Sequence, residues 1–85
     1  MICSFINKPL NMWQLITDCT KQLKVNSIIQ DKKDGQIEKY KIIDVESDQY
    51  HVALISINDK QPGEEIHLIL TPEQISKYRF EVEVN

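Results

Sequence analysis

The sequence predicts an α+β fold in which an N-terminal helix precedes a five-stranded antiparallel sheet, with a short helical turn before the last strand. Three observations predict this order. Apolar residues recur at helical spacing in residues 11–24, later segments alternate apolar and polar residues between turns, and residues 78–84 alternate apolar and charged side chains without interruption. A chain of 85 residues has the size of one domain, which we assign to residues 1–85.

The N-terminal helix is predicted over residues 11–24. Asn11 is a favourable N-cap, because its side chain can accept a hydrogen bond from one of the first backbone N–H groups. The apolar stripe that such a helix would bury consists of Met12, Ile16, Cys19 and Leu23. Residues 1–10 then form an N-terminal arm. Its residues 2–6 are either a short added strand or an apolar segment that reaches another subunit, with Phe5 as the expected contact.

Five strands are predicted within residues 25–84. The segments, each bounded by turn-forming residues, are 25–30, 36–45, 50–57, 64–70 and 78–84. The second segment changes phase between Ile42 and Ile43, which predicts a β-bulge or a strong bend there. The third segment is apolar on both faces, with Ile55 and Ile57 on the second face, so we expect it to be covered on both sides.

The helical turn before the last strand has the signature of a capping box. Thr71 is a good N-cap, Pro72 suits the first helical position, and Gln74 can bond back to the cap. Five strands with a helical turn before the last describe a small SH3-like barrel. An open antiparallel sheet with the helix packed across one face is the alternative.

The composition indicates a soluble globular protein with an uneven distribution of charge. The net charge is −3, but residues 21–41 hold six lysines against three acids, whereas residues 42–85 hold nine acids against three bases. No apolar run is long enough for a signal peptide or a membrane span, so we expect a cytoplasmic protein without membrane association. Cys3 and Cys19 lack the spacing of a zinc or redox motif, and we expect free thiols.

No catalytic, cofactor or metal site is predicted, and we expect a protein that is not an enzyme. His51 and His67 are expected on neighbouring strands, about 10–13 Å apart at the strand rise, too far to share a metal ion. We interpret each as an exposed sheet residue. The sequence has no phosphate-binding loop and no paired catalytic carboxylates, and it indicates no small-molecule substrate.

The sequence favours a small protein-interaction or self-associating module, whose partner is a second copy or another protein. The predicted interface residues are Phe5, Ile55 and Ile57.

Two alternatives use the charged residues. The first is a nucleic-acid-binding small barrel with a Lys-rich hairpin, in which Tyr40 or Tyr50 offers a stacking surface. Its predicted contacts are Lys32, Lys33, Lys39 and Lys41. The second is an acidic inhibitor of a nucleic-acid-processing protein. Its negative surface would consist of Asp44, Glu46, Asp48, Glu64, Glu65, Glu81 and Glu83.

Overall fold

The computed structural model describes residues 12–84, and this part of the chain forms six strands and two short helices. The strands are β1 (Met12–Leu15), β2 (Ile28–Lys33), β3 (Gln36–Glu46), β4 (Gln49–Ile57), β5 (His67–Leu70) and β6 (Glu81–Val84). The helices are α1 (Cys19–Gln22) and α2 (Pro72–Lys77). All strands pair antiparallel in one sheet of order β1-β6-β2-β3-β4-β5, so β1 and β5 are its edges.

The predicted N-terminal helix over residues 11–24 is wrong. Its first part is β1, which pairs with β6, and only the single helical turn α1 forms after it. The N-cap of α1 is Asp18, whose carboxylate accepts a hydrogen bond from the backbone N–H of Lys21 at 3.3 Å. Asn11 and the predicted arm, residues 1–10, lie outside the described residues.

The Gln22 side chain holds the bend between β1 and α1. Its Oε1 accepts hydrogen bonds from the backbone N–H groups of Thr17 and Asp18, both at 2.7 Å. Its Nε2 donates to the backbone oxygen of Leu15 at 3.2 Å. Because these bonds satisfy backbone groups that a helix would have paired, the interruption costs little, and pairing of β1 with β6 prevails over local helical periodicity.

The predicted five-stranded sheet or small SH3-like barrel is also wrong, because the sheet has six strands and stays open. β1 adds beyond β6, so the last strand of the chain lies inside the sheet instead of at its edge. The connection through α2 leaves one edge at β5 and crosses a single face of the sheet to reach β6. The five predicted strand segments nevertheless overlap β2 to β6.

The predicted capping box at the start of α2 is confirmed. The Thr71 hydroxyl accepts a hydrogen bond from the backbone N–H of Gln74 at 3.2 Å, and Gln74 Oε1 accepts one from the Thr71 N–H at 3.0 Å. The helix ends in a Schellman motif, in which the Phe80 N–H donates to the Ile75 oxygen at 3.1 Å. Arg79 takes the left-handed position of this motif, with φ of 55°, where glycine is usual.

Two bulges in the β3–β4 pairing decide which side chains reach the core. The register shifts between Ile42 and Asp44, which leaves Ile43 as an extra residue and confirms the predicted bulge. A second shift lies opposite Lys39, where Ile55 of β4 is the extra residue. Each extra residue reverses the alternation of the residues that follow it.

The hydrophobic core lies between one face of the sheet, called the core face below, and the segments that contain α1 and α2. Its buried residues are Ile16, Leu23, Ile29, Tyr40, Ile42, Tyr50, Val52, Leu54, Leu70, Ile75, Phe80 and Val82. Ile75 of α2 is fully buried, so this single turn of helix closes the core. Both helical segments therefore cover the same face of the sheet.

Candidate functional site: the outer face of the sheet

The face of the sheet opposite the core, called the outer face below, is not covered by either helix in the described part of the chain. Its side chains alternate along the strands with those of the core face. In the order of the strands across the sheet, they include Trp13, Leu15, Glu81, Glu83, Ile28, Gln30, Lys32, Ile37, Lys39, Lys41, Asp44, Glu46, Gln49, His51, Ala53, Ile55, Ser56, His67 and Ile69.

Several large apolar side chains of the outer face are open to solvent. Ile69 is 51% exposed, Leu15 48%, Ile37 37% and Ile55 36%. They are spread from one edge strand to the other, which indicates a face that another surface can cover. The second cover expected for β4 is therefore not supplied by α1 or α2.

Two glutamates and two lysines of the outer face lie on strands that flank β2. Glu81 and Glu83 lie on β6, Lys39 and Lys41 lie on β3, and β2 runs between these strands. Gln30 of β2 is opposite Glu81 on one side and Lys39 on the other. Gln30 is only 3% exposed, and its Nε2 donates to Glu81 Oε1 at 2.7 Å. At the centre of the outer face, the buried Gln30 side chain thus lies between the negative charge of Glu81 and the positive charge of Lys39.

Trp13 and Lys39 contribute a cation–π contact to this face. The Lys39 Nζ lies 5.6 Å from the centroid of the Trp13 ring and 3.3 Å from Asp59 Oδ1. Both contacts hold the ammonium in place above the sheet. We did not expect Trp13 in the sheet, because residues 11–24 were assigned to a helix; its alternation with Gln14 is the signal for a strand that the sequence offers.

The predicted interface residues have different positions. Ile55 lies on the outer face at the second bulge. Ile57 packs instead against the core, because the extra residue reverses the alternation of β4. Phe5 lies outside the described residues. Of the three, Ile55 is the one that the outer face presents.

The predicted nucleic-acid contacts are also divided. Lys39 and Lys41 share the outer face with Lys32, whose Nζ lies 3.5 Å from Glu81 Oε1. Lys33 is exposed at the end of β2. The expected stacking residues are unsuitable, because the rings of Tyr40 and Tyr50 lie in the core, at 6% and 4% exposure.

A groove beside α2 brings Lys32 together with cations that sequence reasoning missed. Its volume is about 470 Å³, and its lining residues are Leu15, Lys32, Lys77, Tyr78, Arg79 and Glu81. Three cations thus face one carboxylate, and the Tyr78 side chain is 48% exposed. Arg79 and Lys77 lie far from Lys32 in the sequence, so only the pairing of β2 with β6 reveals the groove.

The predicted separation of the two histidines is wrong. Ala53 pairs with His67, so the β4–β5 register places the two imidazoles diagonally on the outer face. His51 Nε2 lies 3.0 Å from His67 Nδ1. The error lies in the register, because the expected hairpin placed Leu54 or Ile55 opposite His67.

The seven acids of the predicted negative surface are divided among three places in the structure. Asp44 and Glu46 lie at the end of β3 with Asp48 in the turn that follows, Glu64 and Glu65 precede β5, and Glu81 and Glu83 belong to β6. They therefore do not form one continuous patch.

Tyr40 and Cys19 carry polar groups on the core side of the sheet, away from the outer face. The Tyr40 hydroxyl donates to Glu38 Oε1 at 3.0 Å, and burial together with this carboxylate raises the pKa of Tyr40. Burial and the neighbouring Asp18 carboxylate raise the pKa of the Cys19 thiol. A thiol in this environment stays protonated and is a poor nucleophile.

Comparison of the chain with protein-family models, with curated proteins and with solved structures finds no match in any of the three. Neither α1 nor α2, the helices of residues 12–84, is long and apolar enough to cross a membrane.

Proposed function

We propose that the protein is a small, non-enzymatic module that self-associates, with the outer face as the interface between two copies. The observation that carries this proposal is the contrast in cover: both helices lie over the core face, while large apolar side chains of the outer face are 36–51% exposed. Small domains bury a limited fraction of their surface, so covering this face with a second copy adds stability.

The charge pattern favours a second copy of this chain as the occupant. A two-fold axis parallel to β2, just above the outer face, places β6 of one copy over β3 of the other, because these strands flank β2. Glu81 and Lys39 lie at the level of Gln30, and Glu83 and Lys41 lie two residues further along. The glutamates of each copy then meet the lysines of the other, across sheets that pack about 10 Å apart.

A charge-swap experiment tests this arrangement. Lys41→Glu creates two like-charge contacts across the two-fold axis, and so does Glu83→Lys. We expect each variant alone to weaken self-association at least about tenfold in sedimentation equilibrium at low salt. An equimolar mixture of the two variants restores both contacts as opposite charges, so the mixed dimer should form with near-original affinity.

The design uses Lys41 and Glu83 because Lys39 and Glu81 are bound within the chain, to Asp59 and Gln30. The matched control is Lys24→Glu, which makes the same charge change in the loop after α1, away from the outer face. A chain that is monomeric throughout the concentration series contradicts the proposal. So does a mixture that associates no better than its components.

A second candidate, single-stranded nucleic-acid binding, is favoured by the groove beside α2. Lys32, Lys77 and Arg79 can contact phosphates there, and Tyr78 can stack on a base. Under this hypothesis an oligonucleotide binds with an affinity that falls steeply with salt, and Lys32→Ala with Arg79→Ala reduces binding. The matched control is Lys24→Ala. Absence of binding to DNA and RNA oligonucleotides at low salt eliminates this candidate.

The proposed setting is the cytoplasm. The Cys19 thiol supports it, since the described structure holds this cysteine as a half-buried thiol that packs against the core. Reducing compartments keep such thiols intact.

A further inference from the structure

We propose that His51 and His67 form a binding site for one divalent transition-metal ion of the zinc class, with Glu65 as the positioning residue of His67. The site lies on β4 and β5 at the side of the outer face remote from β6. It concerns a single copy of the chain and does not depend on self-association.

The two imidazoles have the separation that a shared ion requires. His51 Nε2 and His67 Nδ1 are 3.0 Å apart, and their rings are inclined by 60°. Two nitrogens bound to one zinc ion at about 2.0–2.1 Å and a tetrahedral angle lie about 3.4 Å apart. A small rotation of either side chain supplies the difference, since the His67 side chain is 38% exposed.

Glu65 fixes the tautomer that metal binding needs. Its Oε2 lies 3.1 Å from His67 Nε2, so this nitrogen carries the proton and donates it to the carboxylate. The lone pair of His67 is then on Nδ1, which accepts a hydrogen bond from His51 Nε2–H. When the ion binds, the His51 ring loses this proton from Nε2 to water and takes one up on its own Nδ1, so that His51 stays neutral and Nε2 becomes a ligand. A carboxylate bonded to the distal nitrogen of a ligating histidine is the usual arrangement in protein metal sites, where it orients the ring and raises its basicity.

The charges around the pair favour a cation. Asp44 of β3 is directly opposite His51, and Glu65 contacts His67 from the preceding loop. Lys41 of β3 is the nearest cation by register, opposite Ala53, which in turn pairs with His67. Among the described residues no group of three or more His, Cys, Asp or Glu side chains could hold a metal ion. The proposed site therefore has two protein ligands, and water would complete the coordination.

The site is tested by titrating the full chain with ZnCl₂. Calorimetry measures the binding, and NMR reports the ring signals of the two histidines. We expect one ion per chain, with the signals of both histidines shifting together. His51→Gln and His67→Gln each reduce the affinity at least about tenfold, and circular dichroism verifies that each variant is folded.

The positioning role of Glu65 has its own matched pair of variants. Glu65→Gln should weaken zinc binding by about 10- to 100-fold. Glu64→Gln, which removes the neighbouring exposed carboxylate, should leave it unchanged. Equal affinities of these two variants overturn the role of Glu65. Unshifted histidine signals at about millimolar zinc overturn the site itself, as does undiminished binding in the His51→Gln and His67→Gln variants, which would place the ion elsewhere, for example at Cys19.

Discussion

The two faces of the sheet are made by the same strands, yet the core face is covered at its centre, with Met12, Val45 and Leu68 exposed towards its margins, and, within residues 12–84, the outer face is open throughout. On the core face Ile29, Ile42 and Val52 are fully buried, whereas on the outer face Ile55 and Ile69 are 36% and 51% exposed. Strand composition alone does not produce this difference, because β4 is apolar on both sides. The connections decide it: the segments containing α1 and α2 both cross the core face.

The bulge at Ile55 determines which apolar side chains of β4 lie on each face. β4 places Leu54 in the core and Ile55 on the outer face, and the extra residue then returns Ile57 to the core side. A strand that looks doubly apolar therefore gives the outer face fewer apolar side chains than strict alternation would. What the outer face presents is a mixed surface of apolar groups and paired charges, which suits a reversible interface.

The largest expected effect separates a core isoleucine from an outer one. Ile75→Ala should lower the free energy of unfolding by about 2–5 kcal/mol, because it leaves a cavity where α2 closes the core. Ile55→Ala, the matched control on the outer face, should cost less than about 1 kcal/mol in a dilute sample. Urea unfolding followed by circular dichroism measures both.

Equal losses of stability in Ile75→Ala and Ile55→Ala would contradict the difference between the two faces. They would mean that the outer face is as well packed as the core within one chain. If Ile55→Ala instead loses stability only at high protein concentration, a second copy covers the face, as we propose.

The sequence was sufficient for the features that depend on neighbouring residues. The capping box of Thr71 and Gln74 and the bulge at Ile43 were both predicted, because caps and phase changes leave local patterns. The alternation of residues 78–84 also predicted one wet and one dry face of the last strand, and Val82 is buried while Glu81 lies on the outer face.

Features that depend on distant pairing were not predictable in the same way. Ile16 and Leu23 do reach the core, as the helical stripe suggested, but β1 pairs with β6 at the other end of the chain. The contact between His51 and His67 depends on the β4–β5 register, which a long connection leaves undetermined. The groove at Lys32 has the same origin, since α2 reaches it only through the crossing connection.

A change of intermediate size concerns the end of α2, the element that closes the core face. Arg79→Gly should raise the free energy of unfolding by about 0.5–1 kcal/mol, because glycine adopts the left-handed conformation without steric cost. Lys77→Gly, two residues earlier in the helix, is the matched control and should lower it by about 1 kcal/mol. Thermal unfolding measures the two signs. A loss of stability in Arg79→Gly would show that the side chain contributes more by its contacts than its backbone conformation costs.

The smallest expected effect on stability concerns Asp31 and Glu38, a pair of acidic side chains at the polar end of the core face. These carboxylates face each other across β2 and β3. Burial is the main cause that raises the pKa of Asp31 above its ordinary value of 3.8, and repulsion by the Glu38 carboxylate raises it further, while Lys33 acts in the opposite direction. A carboxyl whose pKa is raised by folding destabilises the fold once it ionises, so this cost appears as the pH rises through the raised pKa and vanishes below the unfolded value. Asp31→Asn should therefore increase stability at neutral pH by a few tenths of a kcal/mol, the size of a like-charge pair across two strands.

The gain from Asp31→Asn should disappear when urea unfolding is repeated at about pH 3. At this pH the Asp31 carboxyl of the unsubstituted chain is protonated in both the folded and the unfolded state. Asp48→Asn, in the turn between β3 and β4, removes a carboxylate without a facing acid across the strand pair and should give no such gain. A gain that persists at low pH would assign the effect to packing of the amide instead of to charge. Packing, and not charge repulsion, would then determine stability at this end of the core face. The difference in stability between the core face and the outer face would likewise be due to packing alone.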